Sequence, residues 1–166
     1  EETPVKNREE IQTFIRSVIS GELDMMVFLT GVGARFLISE AEEMGVKEDF
    51  LSSLSKLTIV VRGPKPLAAL NRAGVRVDIS AAAPTSEGLV ETLGSHDFRG
   101  RRVGVQLYGT PNPYLCSALE SRGAEVRTVS IYTYGTPSDP EPITALIRDI
   151  IDGHVGVIAF TSAPQV

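Results

Sequence analysis

The sequence predicts an α/β protein built on a doubly wound parallel sheet, and three observations point there. Short, continuous apolar runs, among them Met25 to Leu29, Leu57 to Val61 and Val155 to Phe160, have the length and unbroken hydrophobicity of strands covered on both faces. Between such runs lie stretches whose apolar residues recur at helical spacing, several of them closed by a glycine. Strand and helix alternate along the chain, which implies right-handed crossovers and parallel strands.

The elements follow in order. Asn7-Arg8-Glu9-Glu10 reads as a cap with a glutamate three places on, and Ile11, Phe14, Ile15, Val18 and Ile19 then mark one face of an amphipathic helix ending at Gly21. After the strand from Met25 to Leu29, a helix is expected from about Val32 to Met44, closed by Gly45, and a short one from Glu48 to Leu54. The strand Leu57 to Val61 leads into Pro64-Lys65-Pro66, a helix opening that turns Leu67 and Leu70 inward and stops at Gly74. Val75, Val77 and Ile79 alternate with Arg76, Asp78 and Ser80, so this strand shows one face to solvent and belongs near a sheet edge. Ser86 is expected to cap a helix through Leu93, and Val103, Val105 and Leu107 begin the next strand. Asn112-Pro113 sets a cap and first-turn proline for a helix ending at Gly123. Val126 to Tyr132 reads as one strand, with Val129 and Ile131 on one face and Thr128, Ser130 and Tyr132 on the other. Gly135-Thr136-Pro137-Ser138-Asp139-Pro140 is dense in linker-type residues and marks a domain boundary. Ile143, Leu146, Ile147 and Ile150 give a further helix before the run Val155 to Phe160.

Composition excludes several classes. With 42% hydrophobic and 22% charged residues over 166 positions, the chain is neither disordered nor fibrous. No apolar run approaches the ~18 residues of a membrane span. No signal peptide opens the sequence, and the one cysteine, Cys116, can form no internal disulfide, which fits a reducing cytosol. A net charge of -5 argues against broad nucleic-acid binding but leaves room for a local basic cleft. The chain opens on Glu1 and stops at Val166 where a helix is expected to begin, so it is expected to be a fragment.

In doubly wound sheets, ligands bind beyond the carboxyl ends of the strands. Four strand-to-helix turns therefore draw notice: Thr30-Gly31-Val32-Gly33-Ala34-Arg35, Arg62-Gly63-Pro64-Lys65, Tyr108-Gly109-Thr110-Pro111-Asn112 and Thr161-Ser162-Ala163. Exposed N–H groups at helix starts suit anions, and Arg35, Arg62 and Lys65 add full positive charges, so the implied ligand carries several carboxylates or phosphates. Tight helix–sheet packing explains small residues at such turns equally well. Gly31-Val32-Gly33 lacks the third glycine of a dinucleotide fingerprint, since Phe36 stands in its place, and no Walker lysine–serine pair exists. Tyr132, at a strand's carboxyl end, either points its hydroxyl into the cleft or is a half-buried aromatic. His96 and His154 suit surface or capping roles, and Cys116, beside Leu115 and Leu119, suits core packing. No paired carboxylates, metal-ligand spacing or nucleophile elbow appears. An enzyme built this way would act by holding the shape and charge of its substrate.

The turns, taken in order, resemble the uroporphyrinogen-III synthase family. The residues that carry the resemblance are Phe28-Leu29-Thr30-Gly31-Val32-Gly33-Ala34-Arg35; Arg62-Gly63-Pro64-Lys65-Pro66 with Leu70 and Gly74; Val105-Gln106-Leu107-Tyr108-Gly109 with Pro113; Leu119; Arg122-Gly123-Ala124-Glu125-Val126; Ile131-Tyr132; and Phe160-Thr161-Ser162-Ala163-Pro164-Gln165-Val166. The ordered set is specific, whereas no single motif is. The resemblance implies two flavodoxin-like domains joined by a two-stranded linker and flanking a cleft. It implies a cytoplasmic, monomeric enzyme without metal or cofactor, which binds neither nucleic acid nor membrane. Its substrate would be the linear tetrapyrrole hydroxymethylbilane, a polycarboxylate that is dehydrated and cyclised to uroporphyrinogen III with inversion of ring D. Tyr132 would then assist loss of the substrate hydroxyl. Thr30, Gly31, Gly33, Arg35, Arg62, Gly63, Lys65, Tyr108, Gly109, Thr161 and Ser162 would hold the substrate. Residues 1–132 would form the inserted domain, 133–140 the linker and 141–166 part of the second domain, and these 166 residues alone are expected to be inactive. Thr30-Gly31 departs from the Thr-Ser of many members and gives up a hydroxyl there. The competing expectation is a non-catalytic, two-lobed anion-binding module of periplasmic-binding-protein type.

Overall fold

The computed structural model describes residues 2–4, 8–134 and 139–159. The chain divides into two units, Glu2–Tyr134 and Gly135–Val166. In the first unit the elements run β1 (Glu2–Pro4), α1 (Arg8–Ile19), β2 (Met25–Phe28), α2 (Gly31–Glu43), α3 (Lys47–Leu54), β3 (Thr58–Val61), α4 (Pro64–Arg72), β4 (Ile79–Ser80), α5 (Ser86–Thr92), β5 (Arg102–Leu107), α6 (Pro113–Glu120), β6 (Glu125–Ser130) and β7 (Tyr132–Tyr134). The second unit contributes α7 (Glu141–Ile151).

Five strands form one parallel sheet in the order β4-β3-β2-β5-β6. Both faces are covered, and the burial pattern of β2 shows why its sequence is continuously apolar. Met26 and Phe28 enter a core shared with α1, α2, α3 and α4, while Met25 and Val27 enter a second core with α5 and α6. Because the chain winds outward from β2 through β3 to β4 and then returns to the other side at β5, the crossovers diverge between β2 and β5. In a sheet of this order that divergence is the switch point, and the crevice where ligands bind lies beyond the carboxyl ends of these two strands.

Asp24 ties the opposite end of the sheet together. Its carboxylate accepts from the Arg102 backbone N–H at 2.9 Å and from the Arg102 guanidinium at 2.8 and 3.1 Å, and its carbonyl accepts from Thr58 N–H at 3.1 Å. Three strands are thereby held in register at their amino ends.

Four expectations need correction. The alternation from Val75 yields a strand only at Ile79–Ser80, at the sheet edge. The Asp78 side chain supplies the reason: its carboxylate accepts the Ile59 N–H at 2.8 Å, so a side chain stands in for a ladder bond and pairing begins one residue later. The cap of α5 is Thr85, whose hydroxyl accepts the Gly88 N–H at 3.0 Å, while Ser86 instead accepts from Asn112 Nδ2 at 2.8 Å. The expected strand Val126 to Tyr132 breaks at Ile131. Its neighbour β5 ends opposite Ser130, so nothing remains to pair with, and β7 turns away to join β1 in a two-stranded antiparallel sheet. Finally, the run from Val155 forms no strand among the described residues; Val157 is 86% exposed, and Phe160 lies outside the described residues. An apolar run without a neighbouring strand has no partners for its backbone groups.

Candidate functional site

The β2–α2 turn fixes the centre of the crevice. Thr30 sits in extended conformation as the cap of α2, and its side-chain oxygen accepts the Gly33 N–H at 3.0 Å. Its carbonyl accepts from Ala34 N–H at 3.1 Å, the first turn of the helix, and its own N–H donates to Gln106 Oε1 at 3.1 Å. Gly31 and Val32 N–H, the first two of α2, find no acceptor among the described residues and stand at the positive end of the helix.

Both glycines of this turn are there for want of space. A Cβ on Gly31 would lie 2.6 Å from the Lys65 carbonyl oxygen, and one on Gly33 would lie 2.0 Å from Gln106 Nε2. The packing reading of these small residues therefore holds, and the close approach it permits is also what brings the β3–α4 turn against the start of α2.

Tyr132 is 1% exposed and belongs to the same core as Val129 and Ile131. The expected face separation fails because the strand ends between them. The phenol stacks on Phe36 with ring centres 6.1 Å apart, and its hydroxyl donates to Thr30 Oγ1 at 3.1 Å. Tyr132 is more deeply buried than the half-buried aromatic expected, and its hydroxyl lies against Thr30.

The remaining turns add charge and shape. Arg62 directly follows β3, and its guanidinium lies over the Tyr108 ring, 4.6 Å from the centroid, joining the β3 and β5 turns by a cation–π contact. Lys65 is exposed in the first turn of α4, and Arg35 is exposed near the start of α2. Pro64 and Pro66 have no N–H, so Gly63 and Lys65 supply the backbone donors at this helix start. Gly63 is buried, and a Cβ there would meet Pro84 at 2.9 Å. Gly109, at φ 62°, spends its N–H on the Tyr132 carbonyl at 3.1 Å and so orders the tyrosine rather than facing solvent. Thr161 and Ser162 lie outside the described residues.

Gln106, quoted above only within the run Val105 to Gly109, has a structural role that the sequence did not assign to it. It is fully buried, with Oε1 on the Thr30 N–H and Nε2 on the Leu107 carbonyl. The available signal was a single amide in the apolar run of β5. Burial pushes the Cys116 thiol upward from its ordinary value, which leaves it protonated and suited to packing. His96 and His154 are both exposed. Among the described residues no group of acidic, histidine or cysteine side chains could hold a metal ion, and no helix is long and apolar enough to cross a membrane.

Concave surface also occurs away from the crevice. A groove of about 620 Å³ runs between α1 and the edge strand β6, lined by Glu9, Thr13, Arg16, Ser20 and Arg127 among others. A depression of about 370 Å³ lies at the amino ends of the strands beside Asp24 and Lys56. The groove is bridged by the ion pair of Arg127 with Glu22 at 2.6 Å, and the depression is walled by the Arg102–Asp24 pair. Neither is lined by the start of α2 or by Arg62 and Lys65, which the strand-to-helix turns of the carboxyl rim carry.

Comparison with known proteins places these features in context. The family described as uroporphyrinogen-III synthase HemD matches residues 1–166. The uncharacterized protein YjjA of Bacillus subtilis (strain 168) is 33% identical over 158 residues, covering 95% of this chain and 58% of that protein. Crystal structures of uroporphyrinogen III synthase from the extremely thermophilic bacterium Thermus thermophilus superpose on 99% of the chain. The wild type does so with a TM-score of 0.70 at 32% identity, over 60% of that chain. A methionine-substituted variant does so with a TM-score of 0.74 at 30% identity, over 62% of that chain. The chain thus spans a little over half the length of the relatives it matches.

Proposed function

The chain belongs to the uroporphyrinogen-III synthase family, and we propose that the full-length gene product dehydrates and cyclises hydroxymethylbilane to uroporphyrinogen III, inverting ring D. The observation that carries the proposal is the crevice itself. The N–H groups of Gly31 and Val32, without acceptors among the described residues, the cations Arg62 and Lys65 on the neighbouring turn, and the Thr30–Tyr132 hydroxyl pair all belong to one rim of one sheet. Such a rim suits a ligand bearing several carboxylates and one hydroxyl to be lost.

In this reading the chain supplies positioning and hydrogen bonds, and the proposal calls on no metal or cofactor. Backbone N–H groups and basic side chains take the carboxylates, with Arg35, Gly33, Gly63, Tyr108, Gly109, Thr161 and Ser162 completing or shaping the substrate contacts. Tyr132 assists departure of the hydroxyl. Cyclisation with inversion requires the whole tetrapyrrole to be held in one curled shape, an effect of positioning rather than of acid–base strength. We read residues 1–132 as the inserted domain, 133–140 as the linker and 141–166 as part of the second domain of a cytoplasmic monomer.

The test is incubation of the full-length gene product with hydroxymethylbilane and separation of the isomers. Spontaneous closure gives type I, so type III product is the expected result, and type I at the uncatalysed rate would remove the proposal in favour of a binding module. Tyr132→Phe is expected to slow turnover by ~10² to 10⁴, the usual worth of general acid assistance, while the product stays type III.

A further inference from the structure

We propose that the Thr30 hydroxyl, and not the Tyr132 phenol, is the group that gives its proton to the departing substrate hydroxyl, with Tyr132 behind it as the second member of a two-hydroxyl relay. The inference rests on the activity proposed above.

A hydroxyl has one proton to donate and two lone pairs with which to accept. Both acceptor positions of Thr30 Oγ1 are taken, one by the Gly33 N–H at 3.0 Å and one by the Tyr132 hydroxyl at 3.1 Å. The Thr30 proton is therefore left to point away from both. Burial gives the direction: Tyr132 retains 1% of its surface, whereas Thr30 is half-buried at the rim of the crevice. A substrate hydroxyl entering the crevice meets Thr30 first. The rest of Thr30 cannot turn aside, because its N–H is held by the buried Gln106 at 3.1 Å and its carbonyl by Ala34 N–H at 3.1 Å. A β-branched side chain on a clamped backbone has little freedom about its first torsion.

The chemical step balances as follows. The bond between the substrate carbon and its hydroxyl oxygen breaks, and the electron pair stays with the oxygen. The lone pair of the adjacent pyrrole nitrogen takes up the positive charge left on carbon. The leaving oxygen accepts the Thr30 proton and departs as water, Thr30 takes the Tyr132 proton in its place, and after product release a solvent water beside Thr30 gives a proton to the threonine hydroxyl, which passes its own to the tyrosinate. Gln106 and Gly33 act only as positioning residues, since neither touches the reacting atoms.

The experiment compares kcat and KM for hydroxymethylbilane in the full-length protein for Thr30→Val, Thr30→Ser, Thr30→Asn, Tyr132→Phe and the double variant Thr30→Val/Tyr132→Phe. Thr30→Val is expected to lower kcat at least as far as Tyr132→Phe does, within or beyond the ~10² to 10⁴ of general acid catalysis, with little change in KM. The double variant is expected to be no slower than Thr30→Val alone, because the phenol acts only through the threonine. Thr30→Ser keeps a hydroxyl and is expected to restore most of the rate. Valine also removes the cap on Gly33, so the loss could be one of folding; asparagine caps a helix as well as threonine does, and Thr30→Asn is expected to melt like the wild type yet turn over as slowly as Thr30→Val. A Thr30→Val or Thr30→Asn variant with wild-type kcat, or losses that multiply in the double variant, would overturn the relay while leaving the type III activity of the wild type standing. A wild type that gives no type III product would overturn the proposed activity and the relay step together.

Discussion

Gly31 has no room for a side chain. A Cβ at this position would stand 2.6 Å from the Lys65 carbonyl oxygen, a backbone atom that cannot swing aside as a side chain can. Gly31→Ala is expected to force α2 from the β3–α4 turn and to cost about 1–3 kcal/mol, the usual penalty of overpacking, read as a lower denaturant midpoint. An alanine at Gly156, where a Cβ would meet nothing within 4 Å, serves as the control and should leave the midpoint unchanged. Gly33 differs in kind, since the atom in the way is the Gln106 amide, itself bonded to Thr30 and Leu107. The sequence marked both glycines and Thr30 as a helix-opening turn, but it held no trace of Gln106 as their partner. A lone amide in an apolar strand has many possible neighbours, and only the register of β2 against β5, with Phe28 beside Gln106, decides among them.

At the scale of elements, β4 shows local chemistry overriding pattern. Val75, Val77 and Ile79 have the alternation of a longer strand, yet the Asp78 carboxylate captures the Ile59 N–H and shortens it. Asp78→Ala leaves that part-buried N–H without its acceptor and is expected to destabilise the first unit by about 1–3 kcal/mol, measured by chemical denaturation; no loss would mean that water or a lengthened strand takes over the bond. Helix α7 presents the converse case. Its apolar residues Ile143, Leu146, Ile147 and Ile150 fall where helical spacing predicted, but they remain 39–51% exposed. Spacing reports which side of a helix is apolar, and it cannot report whether anything lies against that side. The same limit explains the run from Val155, whose hydrophobicity is that of a strand although it pairs with none of the described residues. The splitting of β6 from β7 was hidden for a related reason: where β5 stops is a property of the neighbour and not of the strand.

Across the whole molecule, the parallel α/β class was legible because every buried strand of a doubly wound sheet must be apolar on both faces. The order β4-β3-β2-β5-β6 was not, since crossover rules permit several orders for the same elements. That order sets where the crossovers diverge, between β2 and β5. It also concentrates acid sensitivity at the opposite rim. Hydrogen bonds from the Arg102 side chain hold the Asp24 carboxyl at about 2, below its ordinary 3.8. A lowered folded-state value stabilises the fold fully above the ordinary value, and the contribution is lost as pH falls from about 4 towards 2. Stability measured against pH should therefore drop across that window, and Asp24→Asn should flatten the drop while lowering stability at neutral pH. The central claim remains that ligand meets the carboxyl rim, at Gly31, Val32, Gly63 and Lys65, and not the groove beside α1. Backbone amide NMR shifts of the chain on titration with uroporphyrin, the oxidised polycarboxylate macrocycle, test this directly. The account predicts that the largest shifts fall on those four amides and their neighbours Thr30 and Arg62, and shifts centred on Thr13, Ser20 and Arg127, or none at the rim, would contradict it.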